Sequence, residues 1–384
     1  MKGASCWVTL LMFALLEAWR LKCLAVANQE ESVCHICSCT ISWKGQVVKC
    51  TGKNLTQLPS SFPASTKILY LDQNNLTRIS RGAFWNLRNL TYLNLGRNNI
   101  KYVENGSFKS LSILEDLYLH DNSIESLTPG VFDGLESLTD LMLQNNKISV
   151  LLKGTFRGVN SLVKLYLQYN NVTFIQEGCF ENLLTLRTLD LHNNRIQTIT
   201  PGGFENLEYL SELMLDNNKI SEVLNGTFSG LDRLNYLSLI NNRIQRIAPG
   251  TFEDLKDLRS LSLNKNSITE IRSLTFKGLR YVKEIFLGNN NITTVEPGAF
   301  HSFSKSRFFN DLSIANNKLE IIKNKTFSGL NYLYNLDMDN NDIHRIEATG
   351  FYRMGKLRNL YLRGNRLRYI AYGTFYYTKN LYKL

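Results

Sequence analysis

Four cysteines, Cys34, Cys37, Cys39 and Cys50, crowd together near the N-terminus, and clustered thiols do one of two kinds of chemistry. In an oxidising compartment they pair into two disulfides. In a reducing one, the spacing Cys34-x-x-Cys37, with His35 and Cys39 beside it, offers a tetrahedral zinc site. Which applies depends on where the chain is delivered. Elsewhere the reactive side chains are dispersed. There is no phosphate-binding Gly-rich loop, no Gly-x-Ser-x-Gly elbow and no His-Glu-x-x-His pair. The five histidines are scattered. The two that share a repeat position, His120 and His192, lie three strands apart, about 14 Å, too far to ligate one metal. No enzyme, metal or cofactor is expected.

Delivery is read from residues 1–27, where Lys2 precedes an apolar run from Trp7 to Leu16 and Ala25-Val26-Ala27 follows. That order is the pattern of a cleaved secretory signal. The run falls short of the roughly 20 residues a membrane helix needs, and Glu17, Arg20 and Lys22 interrupt what comes after it. Cys6 and Cys23 leave with the signal, and export favours disulfides over zinc for the remaining cluster. Polar residues recur every few positions thereafter, so no transmembrane segment is expected within this chain, and its place is the extracellular space or the cell surface.

What must position everything else is a repeat. From residue 66 to 380 the chain divides into thirteen units, each 24 residues long except one of 27. Counting the first residue of a unit as offset 0, apolar residues fall at offsets 3, 5, 10, 13, 18 and 21, with Asn at offset 8. The second unit carries Leu90, Leu93, Leu95, Asn98, Ile100, Val103, Phe108 and Leu111. The Asn column runs from Asn74 to Asn365, and the Phe column from Phe84 to Phe375, without a gap. The three extra residues lie within His301 to Phe309. Alternation such as Leu93-Asn94-Leu95 turns both leucines inward on a short strand and leaves Asn94 on the open side. Stacked units then form a parallel sheet over a continuous core that no unit could bury alone. An unpaired buried amide costs about 1–3 kcal/mol, so the Asn column is read as a ladder of bonds to its own turn and the neighbouring one. Cys179 falls where other units place Ala, Ser, Thr, Val or Gly beside a core Phe, which predicts a buried free thiol.

The repeat resembles the extracellular, 24-residue class of leucine-rich repeats, over residues 34–384. The resemblance implies an α/β solenoid: a horseshoe with a parallel concave sheet and short irregular or 3-10 convex segments. It implies that residues 28–65 are an N-terminal cysteine cap, with bridges Cys34 to Cys39 and Cys37 to Cys50. It also implies a C-terminal cap, whereas residues 381–384 only begin a fourteenth unit, so the chain reads as truncated. Two functions follow. One is recognition by a receptor or adhesion ectodomain, similar to the Slit, Nogo-receptor, variable-lymphocyte-receptor or Toll-like proteins. The other is a secreted matrix role similar to the small leucine-rich proteoglycans. Residues 28–33 show no Ser-Gly attachment site or tyrosine cluster, and thirteen units exceed that family's usual run, which favours recognition; the regular unit length argues against the Toll-like group in particular.

The surfaces divide the same way. Asn-x-Ser/Thr acceptors for N-glycosylation stand at Asn54, Asn75, Asn89, Asn105, Asn171, Asn225, Asn291 and Asn324, none on the open strand offsets 2, 4 and 6. Offset 4 instead carries the candidate ligand-binding residues Tyr70, Tyr118, Met142, Tyr166, Asp190, Met214, Phe286 and Tyr361. Thirteen strands at about 4.8 Å make a face of roughly 60 Å, enough for an extracellular protein ligand. Charge is uneven along the face. Glu115, Asp116, Asp121, Asp140, Asp190, Glu212 and Asp216 outnumber Lys164 and Arg187 in the middle units, whereas residues 344–384 hold nine Lys or Arg against one acid. Arg345, Arg353, Lys356, Arg358, Arg363, Arg366 and Arg368 make that end a candidate for heparan sulfate; nucleic acid is not an expected partner outside the cell.

Overall fold

The computed structural model describes residues 33–43 and 45–384. The signal-peptide reading, Cys6 and Cys23 lie outside the described residues. Strand Ser38–Ser42 turns back antiparallel on Gly45–Lys49, which pairs parallel with Thr66–Tyr70, the strand of the first unit. Each later unit adds one parallel strand, through Tyr92–Asn94 and Thr188–Asp190 to Asn359–Tyr361, giving a single 15-stranded sheet in chain order. Beyond the last of these, Asn359 bridges Lys383 in the same parallel sense.

The register never slips between units: Leu69 faces Leu93, Leu93 faces Leu117, and Leu189 faces Leu213. Equal coil length makes this so, because a slip of one residue would turn every inward leucine to solvent. Except at Val103 and in the last coil, where Leu362, Leu367 and Phe375 are half-buried and Ile370 is exposed, the inward columns are buried, and the Phe column forms a stack in which Phe84 and Phe108 lie 6.1 Å apart with rings 5° from parallel. The same near-parallel spacing of rings continues to Phe351 and Phe375 at 6.0 Å.

The Asn ladder has the expected bonds. Asn194 Nδ2 donates to the carbonyls of Leu167 and Leu191, each at 3.0 Å, and the Val172 amide donates to its Oδ1 at 3.0 Å. One amide thus serves its own turn and the unit before it. The residue just before each ladder Asn has positive φ in all thirteen units, from Gln73 at 56° to Gly364 at 70°. Seven of those positions are Asn, which tolerates the left-handed region better than most side chains.

The return side is mainly turns and irregular backbone, as expected, with short ladders added to it. Five pairs of two-residue parallel strands, such as Arg78–Ile79 with Tyr102–Val103, bridge neighbouring coils there. Coils of identical length keep their backbones in register on this side as well, so short ladders form wherever consecutive residues are extended. One 3-10 helix, His301–Phe303, does occur, and it absorbs the three-residue insertion. Phe303 from it packs 4.4 Å from Phe309 and 6.0 Å from Phe276, so the extra length adds to the core instead of bulging into water.

The N-terminal cap closes the exposed first coil. Disulfides join Cys34 to Cys39 and Cys37 to Cys50, and Val33, Cys37, Val48, Cys50 and Phe62 are buried in the same core as the repeats. Cys179 is buried and free, 1% exposed beside Phe180, and burial pushes its thiol up to about 12.

Candidate functional site

The open side of the sheet is built from the residues between the inward leucines. At offset 4, Tyr70, Tyr118, Met142, Tyr166, Met214, Phe286 and Tyr361 are half-buried, wedged between neighbouring side chains with one edge in water. Asp190 departs from them. It is 6% exposed, its Oδ1 accepting the His192 amide at 3.1 Å and facing His192 Nδ1 at 2.6 Å. That carboxylate is committed to holding its own strand end, so the expectation of an open ligand contact at this position is corrected.

The remaining residues do not form one cluster. Tyr70 and Tyr118 are joined through Tyr92, with ring centroids 5.2 and 5.1 Å apart, into a ladder of three phenols across three strands. Tyr92 stands at offset 2, a column the offset-4 reading passed over; its signal was a tyrosine flanked on both neighbouring strands by tyrosines. Lys49 of the cap sits 5.6 Å over the Tyr70 ring, a cation–π contact. Two strands on, Tyr169 meets His192 edge to face at 5.0 Å. Phe286 and Tyr361 stand apart from this group, Tyr361 under Lys383 at 4.9 Å.

Electrostatics set the ladder apart from the rest of the face. Burial holds the Tyr92 phenol well above its ordinary range, and Tyr118, Tyr70, Asp116 and Asp72 add to the shift. Tyr118 moves the same way, through burial and then Asp116 and Asp140. Lys164 is the counterweight: its hydrogen bond to Asp140, at 2.9 Å, raises its pKa. His120 pairs with Asp121 at 2.8 Å, and its ring lies against Gly96 on the preceding strand, where a Cβ would overlap the imidazole. Glycine there is the condition for that ring position. Not every acid of this stretch is available, since Asp216 Oδ1 is occupied by the Ile240 amide, at 2.8 Å, and by the Ser238 hydroxyl.

The basic end is differently arranged. Its charges are strung around the last coils instead of sharing one face: Arg358 stacks on Tyr334 at 5.2 Å, Arg353 on Tyr352 at 5.3 Å, Arg345 pairs with Glu347 at 3.0 Å and Arg366 with Asp342 at 2.7 Å. Arg345, Arg366 and Arg368 line one shallow cleft with His344 and Tyr369.

The glycosylation motifs lie off the open face. Asn54, Asn75, Asn89, Asn105, Asn225 and Asn324 are exposed, while Asn171 and Asn291 are half-buried. Several also have a structural reading. Ser107, the third residue of the Asn105 motif, is buried and donates to the Ile79 carbonyl at 3.0 Å, and Thr326 of the Asn324 motif donates to Lys323 at 2.9 Å.

Comparison with known proteins agrees with this architecture. The insulin-like growth factor-binding protein complex acid labile subunit of Mus musculus is 44% identical over 75 residues, 18% of this chain and 12% of that protein. Leucine-rich repeat-containing protein 3B of Homo sapiens is 37% identical over 92 residues, 23% of this chain and 34% of that protein. The chain therefore matches only a minor part of these relatives. In the solved Toll–Spatzle complex, a chain 23% identical superposes with a TM-score of 0.70, over 79% of this chain and 44% of that one. The family described as Leucine rich repeat matches residues 64–124, 114–172, 160–220, 208–268, 256–310 and 309–367, so the chain belongs to the leucine-rich-repeat family.

Proposed function

We propose that this protein is a non-catalytic extracellular recognition module, the ectodomain of a receptor or adhesion protein, that binds a protein ligand on the open face of its long sheet. The observation that carries this reading is the contrast between half-buried Tyr, Met and Phe on that face and the six exposed glycosylation motifs, all of which lie off it. Aromatic residues and Met held with one edge in water are typical anchors of protein interfaces. Two of the similar proteins point to protein partners by name, one as a subunit of a growth-factor-binding complex and one in complex with Spatzle. Disulfides in the cap suit an oxidising exterior. Heparan sulfate is a secondary partner at the arginine-lined cleft of the last coils; the matrix role of a small proteoglycan is the rival reading.

The test is an array of purified secreted proteins and receptor ectodomains probed with the glycosylated chain. A sugar is then built onto the face with Lys164→Asn and Tyr166→Thr together, both on the open side. We expect a partner captured by the parent protein to be lost with this variant. Undiminished capture would move the interface elsewhere.

A further inference from the structure

Resting on the extracellular placement proposed above, a second surface comes with its own occupant: we propose that the cleft between the cap and the first repeat unit is a sugar-binding site for the chain's own N-glycan at Asn75, whose first rings stack on Trp85. The cleft has a volume of about 680 Å3. One wall is the cap loop from Thr56 to Ser60, and the other runs from Asn75 through Arg78 to Trp85. The scaffold does not account for Trp85. It is 62% exposed, and the same position in the next five units carries Lys109, Asp133, Arg157, Glu181 and Glu205, so packing does not require an indole there. An exposed indole offers a flat apolar face and one N–H donor.

Asn75 supplies the occupant. Its backbone amide donates to the Leu55 carbonyl at 2.8 Å, which fixes the residue at the rim of the cleft. Its Oδ1 accepts a long bond from Asn99 Nδ2, at 3.5 Å, and its own Nδ2, the atom that carries a sugar, donates to no group among the described residues. In the neighbouring motifs that atom is engaged: Asn89 Nδ2 donates to the Ala64 carbonyl at 3.2 Å and Asn105 Nδ2 to the Pro129 carbonyl at 3.0 Å. The lining selects a sugar over other ligands. Arg78 is the one charged residue among those lining the cleft, and it is paired with Glu104, so a charged ligand finds no counter-ion. An apolar segment would take Thr56, Gln57, Ser60 and Thr77 out of water without partners. A pyranose ring instead turns its C–H face to the indole and its hydroxyls to those same side chains. Tethering supplies the rest, because a short linkage holds the rings at an effective concentration of about a millimolar or more, where weak stacking suffices.

The test uses the chain secreted from a eukaryotic host, with the occupancy of each motif read by peptide mass spectrometry. Residues 28–384 hold two tryptophans, Trp43 and Trp85, so Trp43→Phe leaves Trp85 as the reporter. We expect Asn75 to be occupied, and acrylamide quenching of Trp85 fluorescence to rise about threefold in Asn75→Gln as the indole face meets water. Thr77→Ala, which removes the motif and keeps Asn75, should give the same rise; Thr77→Ser, which keeps the motif, should give none. Asn225→Gln, which removes a motif in the seventh unit, should leave quenching unchanged. Trp85→Ala should lower the melting temperature by about 2 °C in the glycosylated chain and by less than about 0.5 °C in the Asn75→Gln background, a coupling that independent sites lack. An empty Asn75 beside occupied motifs elsewhere, equal quenching with and without the sugar, or additive melting shifts would each overturn the proposal. Sugar at no motif would overturn the extracellular placement along with it. A shielded Trp85 in a chain whose open face captures nothing would uphold the cleft and remove only the interface.

Discussion

The two sides of each strand obey different rules. Inside, Leu69, Leu93, Leu117 and their successors lie directly over one another, as do the Asn and Phe columns, and every unit repeats the same residue types. Outside, the residue type changes from unit to unit: offset 4 passes from Tyr118 to Met142, Tyr166 and Asp190 on consecutive strands. The inner side repeats because each coil meets an identical neighbour, so the shape that packs once must pack thirteen times. The outer side meets only water or a partner and has no such periodic demand. Repetition therefore marks the scaffold, and its absence marks the surface free to acquire specificity.

The largest test of that division removes an inner ring. Phe204 stacks on Phe180 at 6.0 Å and on Phe228 at 6.3 Å and is fully buried. Phe204→Ala opens a cavity in mid-solenoid, where neither neighbour can collapse without leaving its own stack. A loss of about 3–5 kcal/mol in denaturant unfolding is expected. A loss under 1 kcal/mol would mean that the column is less constrained than its regularity implies.

Next comes the ladder. Asn194→Leu leaves the Val172 amide without its acceptor and the Leu167 and Leu191 carbonyls without their shared donor. Burial of these groups away from water makes the expected cost about 2–3 kcal/mol. An unchanged melting temperature would refute the ladder as a source of stability.

The inner side was legible in the sequence because it is periodic; the outer side was legible only in part. The Asn and Phe columns stand in the sequence at the same offsets the structure uses. Asp190 does not behave like its column, because a short carboxylate at a strand end is close enough to fold back onto the amide two residues on, which alternation of inward and outward positions cannot reveal. Tyr92 joins Tyr70 and Tyr118 diagonally across offsets 2 and 4, a contact that columns read one at a time pass over. Phe303 lies in the one unit of different length, and nothing in the repeat says whether an insertion fills the core or leaves it. The arginines of the last coils are close in sequence, yet a 24-residue coil carries them around its whole circumference.

A smaller test uses the single departure in an inner position. The Cys179 thiol is raised from 9.0 to about 12 by burial, so the folded chain holds its proton where the unfolded chain releases it. The sign follows: the contribution to stability is complete below pH 9 and falls as pH rises toward 12. The loss is about 1.4 kcal/mol at pH 10. Cys179→Ala, the residue type found at this position in other units, should flatten the difference in melting temperature between pH 8 and pH 10 relative to the parent. Tyrosines and lysines titrate in the same range, but they are common to both proteins and cancel in the comparison. A parallel fall in both would place the thiol in contact with water.

The smallest effect is expected on the outer side. Glu212 stands on its strand beside Thr188 and Tyr236, exposed, with only the Thr188 hydroxyl near it, at 3.5 Å. Glu212→Gln keeps the shape and removes one charge from the acidic middle of the face. Little is lost, because an exposed carboxylate interacts through water and salt. The change in unfolding free energy should stay within about 0.5 kcal/mol of zero. The division between the sides predicts that such a variant alters association with a charged partner, chiefly its rate and salt dependence, before it alters folding. A destabilisation above 1 kcal/mol would show that an outer residue carries part of the scaffold, and the two sides would then differ in degree only.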